Sequence, residues 1–570
     1  MLGGVFLDNV GIKAIQAKTG VITLELKGYL LHSKYDPIKE AKRIVEKEIE
    51  SNHLHIIFGY GAGYIISELI EKLGSNEKII VIDPLYDQLM KQDILKLDCL
   101  IIKEINLAEI KKNISAKLSN FDRKIKVICS PNYNNLLPED YVKVLNLIKD
   151  LQNSSFVNEN TVRIFATNWQ ENIIKNLAFV CEDETVNALK NKYKAPVVIA
   201  SGGPSLTKQL PLLKKIANRV IILAAGSTIN SLLREGIEPD YVVTIDGSEL
   251  NYKHFENIEI NKTKLIYMLE SYYKIQEVFP NKRFVFLDIF NKRTQQYIKG
   301  HYNKELPLIL GGASVSSFAL TIASEITTGP IAIIGQDLAY SGDFTHANNN
   351  KESKKIDYNS IESSILVEID GYYGGKVKST YEYLPMKESF ENILPLLREN
   401  SRIFNCTEGG AKINGMLQIS FSHFYENYVK KSETLIGTEY NNNNILRNRK
   451  KYYDLLKSEL NEYQKLKKEY KLALNILEIV KLKKEFSVNN LSKLEDIDSR
   501  IKKFINNVIL QKIADPIVLD IMKKYEPKLN ESINESFNRV YQQNKAIYEG
   551  LMNVTEQSEA FIKEAMDKYC

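Results

Sequence analysis

Short, unbroken apolar runs recur through the middle of the chain: "VVIA" at 197–200, "VIILAAG" at 220–226, "DYVVTID" at 240–246, "KLIYML" at 264–269, "RFVFLD" at 283–288 and "PIAIIGQD" at 330–337. Stretches of helical spacing, "SVSSFALTIASEI" among them, separate several of these runs. Apolar runs without alternation predict strands buried on both faces, and so a mostly parallel α/β sheet. Ligands of such sheets bind beyond the C-terminal ends of the strands. At those ends stand Ser201-Gly202-Gly203-Pro204-Ser205, Gly226-Ser227-Thr228, Asp246-Gly247-Ser248-Glu249 and Gln336-Asp337.

The pattern changes on either side, which divides the chain into an N-terminal Rossmann-like domain at 1–185, a central domain at 186–430 and a helical domain at 431–570. The first opens with alternating segments, "GVFLDNVGIKAI" and "GVITLEL", and a helical "DPIKEAKRIVEKEIE". A strand then ends at Phe58, Gly59, Gly61 and Gly63 make a turn, and after a helix a second strand ends at Asp83. An acidic residue about 20 positions beyond a glycine turn is the layout of a dinucleotide- or S-adenosylmethionine-binding unit. The spacing here is G-x-G-x-G, and a purely structural turn is the favoured reading. "KIKVICSP" and "VRIFATN" read as further strands. Beyond 430 an Asn cluster precedes a long amphipathic pattern. Leu456, Tyr463, Tyr470 and Leu477 repeat every seven residues, with Leu460 and Leu474 beside them. Lys467 interrupts the partner stripe, so the pattern predicts an intramolecular bundle rather than a free coiled coil.

Composition narrows the function classes. A formal charge of +5 over 570 residues, with Lys and Glu interleaved, lacks the electrostatic footprint of a nucleic-acid binder. Cys99, Cys129, Cys181, Cys406 and Cys570 are scattered without a CxxC pair, which argues against zinc and fits a reducing cytoplasm. No apolar run approaches the roughly 20 residues that cross a bilayer, and the N-terminus lacks signal-peptide character.

The "SGGPSL" turn after "VVIA" suggests backbone N–H groups gathered at a helix start, a setting that favours phosphate. It lacks a Walker lysine, so a monophosphate or a nucleoside edge suits it better than a triphosphate. A plain connector explains two glycines equally well.

The trio "SGGPSL", "GIEPDYVVTIDG" and "IIGQDLAYSGDFTHA", with "NCTEGGAKINGM" at 405–416, resembles the motility-associated factor (Maf) glycosyltransferases of bacterial flagellin. The likeness is strong over about 180–420. It implies transfer of a nonulosonic acid, of the pseudaminic or legionaminic type, from its CMP-activated form to Ser/Thr hydroxyls of flagellin. The central domain also resembles bacterial sialyltransferases, which implies a GT-A-like fold there. On that pattern "SGGPSL" lies under the nucleotide phosphate, Gly226-Ser227-Thr228 contacts the nucleotide and Asp246 ends the next strand, where sialyltransferases tend to carry an amide. Ser314 is placed to offer its hydroxyl and N–H to the donor carboxylate or phosphate. Flagellin is the implied partner, docked on the C-terminal helices. No resident cofactor or metal is implied, and the oligomeric state stays open.

A CMP leaving group suits this sequence on chemical grounds as well. The central domain has no Asp-x-Asp pair for a metal–diphosphate, and Asp496-Ile497-Asp498 lies in the helical region, where about one such triplet arises by chance. A single phosphate can be stabilised by helix N–H groups and hydroxyls. The acceptor hydroxyl needs a base. His346, on a Gly/Asn-rich loop, is the first candidate, because imidazole titrates in the useful range. Glu249, Asp337 and Glu408 are rival carboxylates, and Tyr340 either binds phosphate or packs. Two other readings stand beside this one: a pterin diphosphokinase-like phosphoryl transferase holding Mg²⁺ on Asp246, Glu249 and Asp337, and a non-catalytic flagellin-binding factor.

Overall fold

The computed structural model describes residues 11–50, 52–118, 124–279, 282–340, 344–347, 350–351, 353–356, 366–397, 402–433, 449–505, 509–528 and 531–570. The Asn cluster at 441–444 and the first alternating residues, 4–9, lie outside them. The chain divides into two compact units, 1–164 with 518–546 and 165–517 with 547–570. Three segments were expected. The helices beyond 430 form no body of their own, for reasons given below.

In the first unit, strands Lys13–Gln16, Ile22–Leu26 and Tyr29–Leu30 pair antiparallel. A parallel sheet follows, ordered Leu100–Ile102, Ile79–Ile82, Leu54–Phe58, Ile125–Cys129. Its glycine turn is the expected one, but the fold itself fills it. A Cβ on Gly59 would lie 2.4 Å from the Tyr133 ring, and one on Gly61 would lie 2.6 Å from His32 Nε2. Gly61 N–H donates to the Tyr133 hydroxyl (3.1 Å) and Ala62 N–H to His32 Nε2 (3.2 Å). Asp83 is fully buried and accepts from Tyr60 N, Leu85 N and the Tyr133 hydroxyl, each at 2.7 Å. The N–H groups of Gly61 and Ala62 are already spent on Tyr133 and His32, and the Asp83 carboxylate on Tyr60, Leu85 and Tyr133.

"VRIFATN" is not a strand. It lies within the helix Pro138–Val180. Ala166, Gln170, Ile173, Ile174, Leu177 and Val180 are buried at helical intervals, so the longer 3.6-residue period overrides the local β-prone run.

The second unit is built on a parallel sheet in the order Leu308–Ile309, Arg283–Asp288, Lys264–Met268, Tyr241–Thr244, Ile221–Ala225, Val197–Ala200, Ile331–Ile334, Ile403–Asn405, Leu417–Gln418, with Glu184–Thr185 beside Arg283–Asp288. The central strands are buried on both faces, as the unbroken apolar runs require. Helix Arg449–Lys483 buries Leu456, Tyr463, Tyr470 and Leu477 to within 1% exposure, so the seven-residue stripe is core. Lys467 pairs with Glu559 (2.8 Å) on the helix Ile533–Tyr569. The Tyr452 hydroxyl donates to Ile174 O (2.8 Å), and buried Lys175 pairs with Glu171 (2.6 Å) and Glu564 (2.7 Å). These contacts join residues of 449–517 and 547–570 to residues 165–180 within the second unit, while 518–546 group with the first unit. Asp498 sits on helix Val488–Ile505 and accepts from the Tyr548 hydroxyl (2.8 Å), a structural use of the Asp-x-Asp triplet.

Glu459 is 2% exposed inside this bundle and accepts from the Tyr297 hydroxyl and from Ile509 N (3.2 Å). Burial pushes its carboxyl up from 4.5 to about 7, although the hydrogen bonds oppose the shift. The folded protein therefore holds a proton that the unfolded chain releases. Its contribution to stability is complete below about pH 4.5 and is lost as pH rises through about 7. Glu459→Gln should flatten the fall of the thermal unfolding midpoint across that range. Parallel pH profiles for the two proteins would show that Glu459 does not titrate there.

Candidate active site

The strands of the second unit's sheet change direction of travel at one place. From Val197–Ala200 the chain steps outward through Ile221–Ala225 and Tyr241–Thr244 to Leu308–Ile309, then returns to the other side of Val197–Ala200 as Ile331–Ile334. The loops leaving these two strands meet at the switch point, the crevice position where ligands usually lie in an open parallel sheet. Ser201–Ser205 forms one lip and Gly335–Asp337 the other.

The lips are clamped together. Ser201 N donates to Ile334 O (2.9 Å) and Gly203 N to Gly335 O (2.8 Å). Asp337, 3% exposed, accepts from Ser205 N (3.2 Å) and from the Ser205 hydroxyl (2.7 Å). A Cβ on Gly203 would stand 2.1 Å from Asp337 Oδ2. The group that approaches the second glycine is thus Asp337 of the same chain. This corrects the expectation of a phosphate cradle, since the N–H groups of Ser201, Gly203 and Ser205 all face internal acceptors. Pro204 lies in the turn ahead of the helix Leu206–Ile216. From that helix Gln209, 3% exposed, donates to Cys406 O and to Thr407 O (3.0 Å), and accepts from Gly335 N (3.1 Å). Gln336 N donates to Thr407 Oγ1 (3.2 Å).

Gly202 has a different environment. A Cβ there would sit 3.3 Å from Thr228 Oγ1, 3.3 Å from Asn350 Nδ2 and 3.7 Å from His346 Cδ2. Ala347 N donates to Gly202 O (3.0 Å), and Lys351 Nζ to Lys253 O (2.8 Å). Residues 344–347 and 350–351 therefore lie at the strand ends, with half-buried His346 beside Gly202. His346 Nδ1 meets the Thr345 hydroxyl at 3.1 Å. Helix Val315–Ile326 closes the third side. Ser314 caps it, accepting from Ser317 N (3.3 Å), while the Ser316 and Ser201 hydroxyls lie 2.8 Å apart. Gly226 backs onto Val315, 3.7 Å from its built Cβ, and Ser227 precedes the helix Thr228–Arg234 without a side-chain cap. Gly202, Thr228, His346, Ser201 and the Ser314 helix start are thereby one site.

The other named residues have different neighbours. Asp246 lies two strands over, roughly 10 Å away at the usual strand spacing. Its carboxylate accepts from Ser248 N (2.8 Å), and Ser248 caps the short helix that begins at exposed Glu249. Asn172 Nδ2 donates to Gly247 O (2.9 Å) and Glu270 O (3.1 Å), and Asn176 Nδ2 to Leu269 O (2.8 Å) and Ser271 O (2.7 Å). Burial, then Tyr273, Glu249 and Glu171, push the Tyr272 hydroxyl up to about 12. Tyr340 pairs through its backbone with Lys378 (2.9 Å), and its ring stands edge-on to Tyr383 at 6.4 Å, which favours packing. Glu408 accepts from Phe421 N (2.9 Å), its carbonyl accepts from the Tyr373 hydroxyl (3.0 Å) and its backbone is left-handed. Asp337 and Glu408 are thus engaged as structural acceptors. Gln209, Asn350, Ser316 and Asn172 carry no motif in the sequence; a buried amide in a helical stripe is the one local sign of Gln209 and Asn172.

Two neighbouring glycines should then respond differently. Gly203→Ala forces Asp337 from Ser205 and should lower the unfolding free energy by about 1–3 kcal/mol. Gly202→Ala meets only movable side-chain ends and should cost less than about 1 kcal/mol. Equal losses in chemical denaturation would contradict this assignment.

Residues 171–343 match the family described as 6-hydroxymethylpterin diphosphokinase MptE-like. This span runs from the Asn172 helix through both lips of the crevice. An uncharacterized protein of Treponema pallidum (strain Nichols) is 26% identical over 213 residues, covering 35% of this chain and 72% of that protein. The solved structure of MAf glycosyltransferase from Magnetospirillum magneticum AMB-1 is similar at a TM-score of 0.56 and 13% identity, over 99% of this chain and 93% of that one. This chain and that glycosyltransferase share a fold.

Proposed function

We propose that this protein is a glycosyltransferase that moves a nonulosonic acid, of the pseudaminic or legionaminic type, from its CMP-activated form to Ser/Thr hydroxyls of flagellin. The observation that carries the reading is the crevice at the sheet's switch point, where Gly202, Thr228 and His346 meet. The fold shared with a MAf glycosyltransferase over nearly the whole chain supports it. In this reading the nucleotide lies over Gly202 and Thr228, with the Ser314 helix start beside the phosphate or the sugar carboxylate. The bond from the anomeric carbon to the phosphate oxygen breaks and its electrons leave with CMP. The acceptor oxygen bonds to the same carbon from the opposite face, and its proton passes to the His346 imidazole. This inverting transfer asks for no metal, because a single phosphate leaves.

The acceptor protein is assigned to the late helices. Leu472, Ile479 and Leu482 are 49%, 46% and 84% exposed and fall seven and three residues apart on helix Arg449–Lys483, one apolar face away from the buried stripe. No described helix is long and apolar enough to cross a membrane.

The match over 171–343 to a diphosphokinase-like family favours a second reading, phosphoryl transfer with Mg²⁺ on Asp246, Glu249 and Asp337. Against it, Asp337 is engaged by Ser205 and Asp246 by Ser248 N. Calorimetry with CMP separates the two: transfer predicts binding in EDTA, whereas binding only with Mg²⁺ favours the kinase. Mass spectrometry of flagellin co-expressed with the CMP-sugar pathway should show glycosylation, depressed about 10²–10⁴-fold by His346→Ala with CMP affinity little changed. Normal modification by this variant would remove His346 as the base.

A further inference from the structure

The first unit contains a groove that the transfer reaction does not use. Helix Tyr64–Leu73 turns Ile65, Ile66 and Leu69 into the core, which sets Tyr64, Glu68 and Glu71 together along another side, three and four residues apart. That side lines an open cavity of about 530 Å³, within the size range of ligand pockets. Ile22, Ile38 and Leu95 form its apolar wall, and Ile38 and Leu95 are 42% and 40% exposed there. The wall is fixed in place: the Tyr64 hydroxyl donates to Ile22 O (2.8 Å) and the Tyr60 hydroxyl to Leu95 O (2.7 Å).

Glu68 is the unusual member. It is 7% exposed and lines the cavity, yet among the described residues its carboxylate has no hydrogen bond or ion pair. The side chain is enclosed by its neighbours but its oxygens are not among the fully buried polar atoms, so the carboxylate opens onto the cavity and is available there to a donor or a cation. Glu71 and Asp93 line the same cavity at exposed positions, against the single cation Lys42. The excess of negative charge sets the sign of a group that fits this groove, and the apolar wall sets the character of its stem.

We propose that this groove binds an organic cation, an ammonium or guanidinium group on an aliphatic stem, with the charge on Glu68 and the stem along Ile22, Ile38 and Leu95. A free polyamine and a lysine side chain of a peptide offer the same chemistry, and the test distinguishes them.

Calorimetry on the full-length protein uses spermidine, a capped Leu-Lys-Leu peptide and its Leu-norleucine-Leu counterpart. At least one cationic probe should bind saturably, and Glu68→Gln should weaken it by about tenfold or more. Norleucine in place of lysine should cost a similar factor. Binding of spermidine alone assigns a free amine; binding of the peptide alone assigns a polypeptide segment. If Glu68→Gln fails to fold, the exposed pair Glu71→Gln with Asp93→Asn should still weaken binding by about threefold. Absence of saturable binding by either cation, or affinity unchanged in the folded variants, overturns the proposal.

Discussion

The site depends on one carboxylate. Asp337 lies three residues beyond the strand Ile331–Ile334 on one side of the sheet's switch point and receives the backbone N–H and hydroxyl of Ser205 from the other side. A buried hydrogen bond contributes about 0.5–1.5 kcal/mol net, and leaving its partner unsatisfied costs about 1–3 kcal/mol, enough to hold the two loops at a fixed separation. Gly203 is what lets Asp337 come so close, and Gln209 repeats the tie one turn further along the helix. With these lips fixed, Gly202 becomes the floor on which Thr228, Asn350 and His346 converge.

The chain contains two glycine-rich turns after buried strands, and they have opposite fates. In the first unit, Tyr133 and His32 enter the turn and take its N–H groups, while Asp83 is consumed by Tyr60, Leu85 and Tyr133. In the second unit, one glycine is consumed by Asp337 and its neighbour is left facing polar side chains of Thr228, His346 and Asn350, from two segments of the chain. A glycine in such a turn reports that something approaches the backbone closely. Whether that is the protein or a ligand is decided by residues far away in sequence.

That distance sets what was legible in the sequence. The strands of the central sheet, the loops at their C-terminal ends and the Leu456–Leu477 stripe all follow from local periodicity, and they are found where the pattern puts them. "VRIFATN" misled because seven residues carry less information than the helix of which they are a part. The roles of Asp337 and Gly203 were not readable, since 134 positions separate partners that strand order makes adjacent. Asn172 and Asn176 were missed for the same reason: they serve strand ends from a helix that precedes the sheet in the chain. The grouping of 449–517 and 547–570 with the second unit draws on Lys175, Tyr452 and Glu564, which no composition boundary announces.

The central claim is that the switch-point crevice is where the activated donor is held. A crystal structure of the full chain grown with CMP and without divalent metal tests it most directly. The account predicts the nucleotide against Gly202 and Thr228, with its phosphate toward the Ser314 helix start and His346 open to the acceptor side. CMP ordered at the Gly59–Gly63 turn, or a crevice left empty at saturating nucleotide, would contradict it.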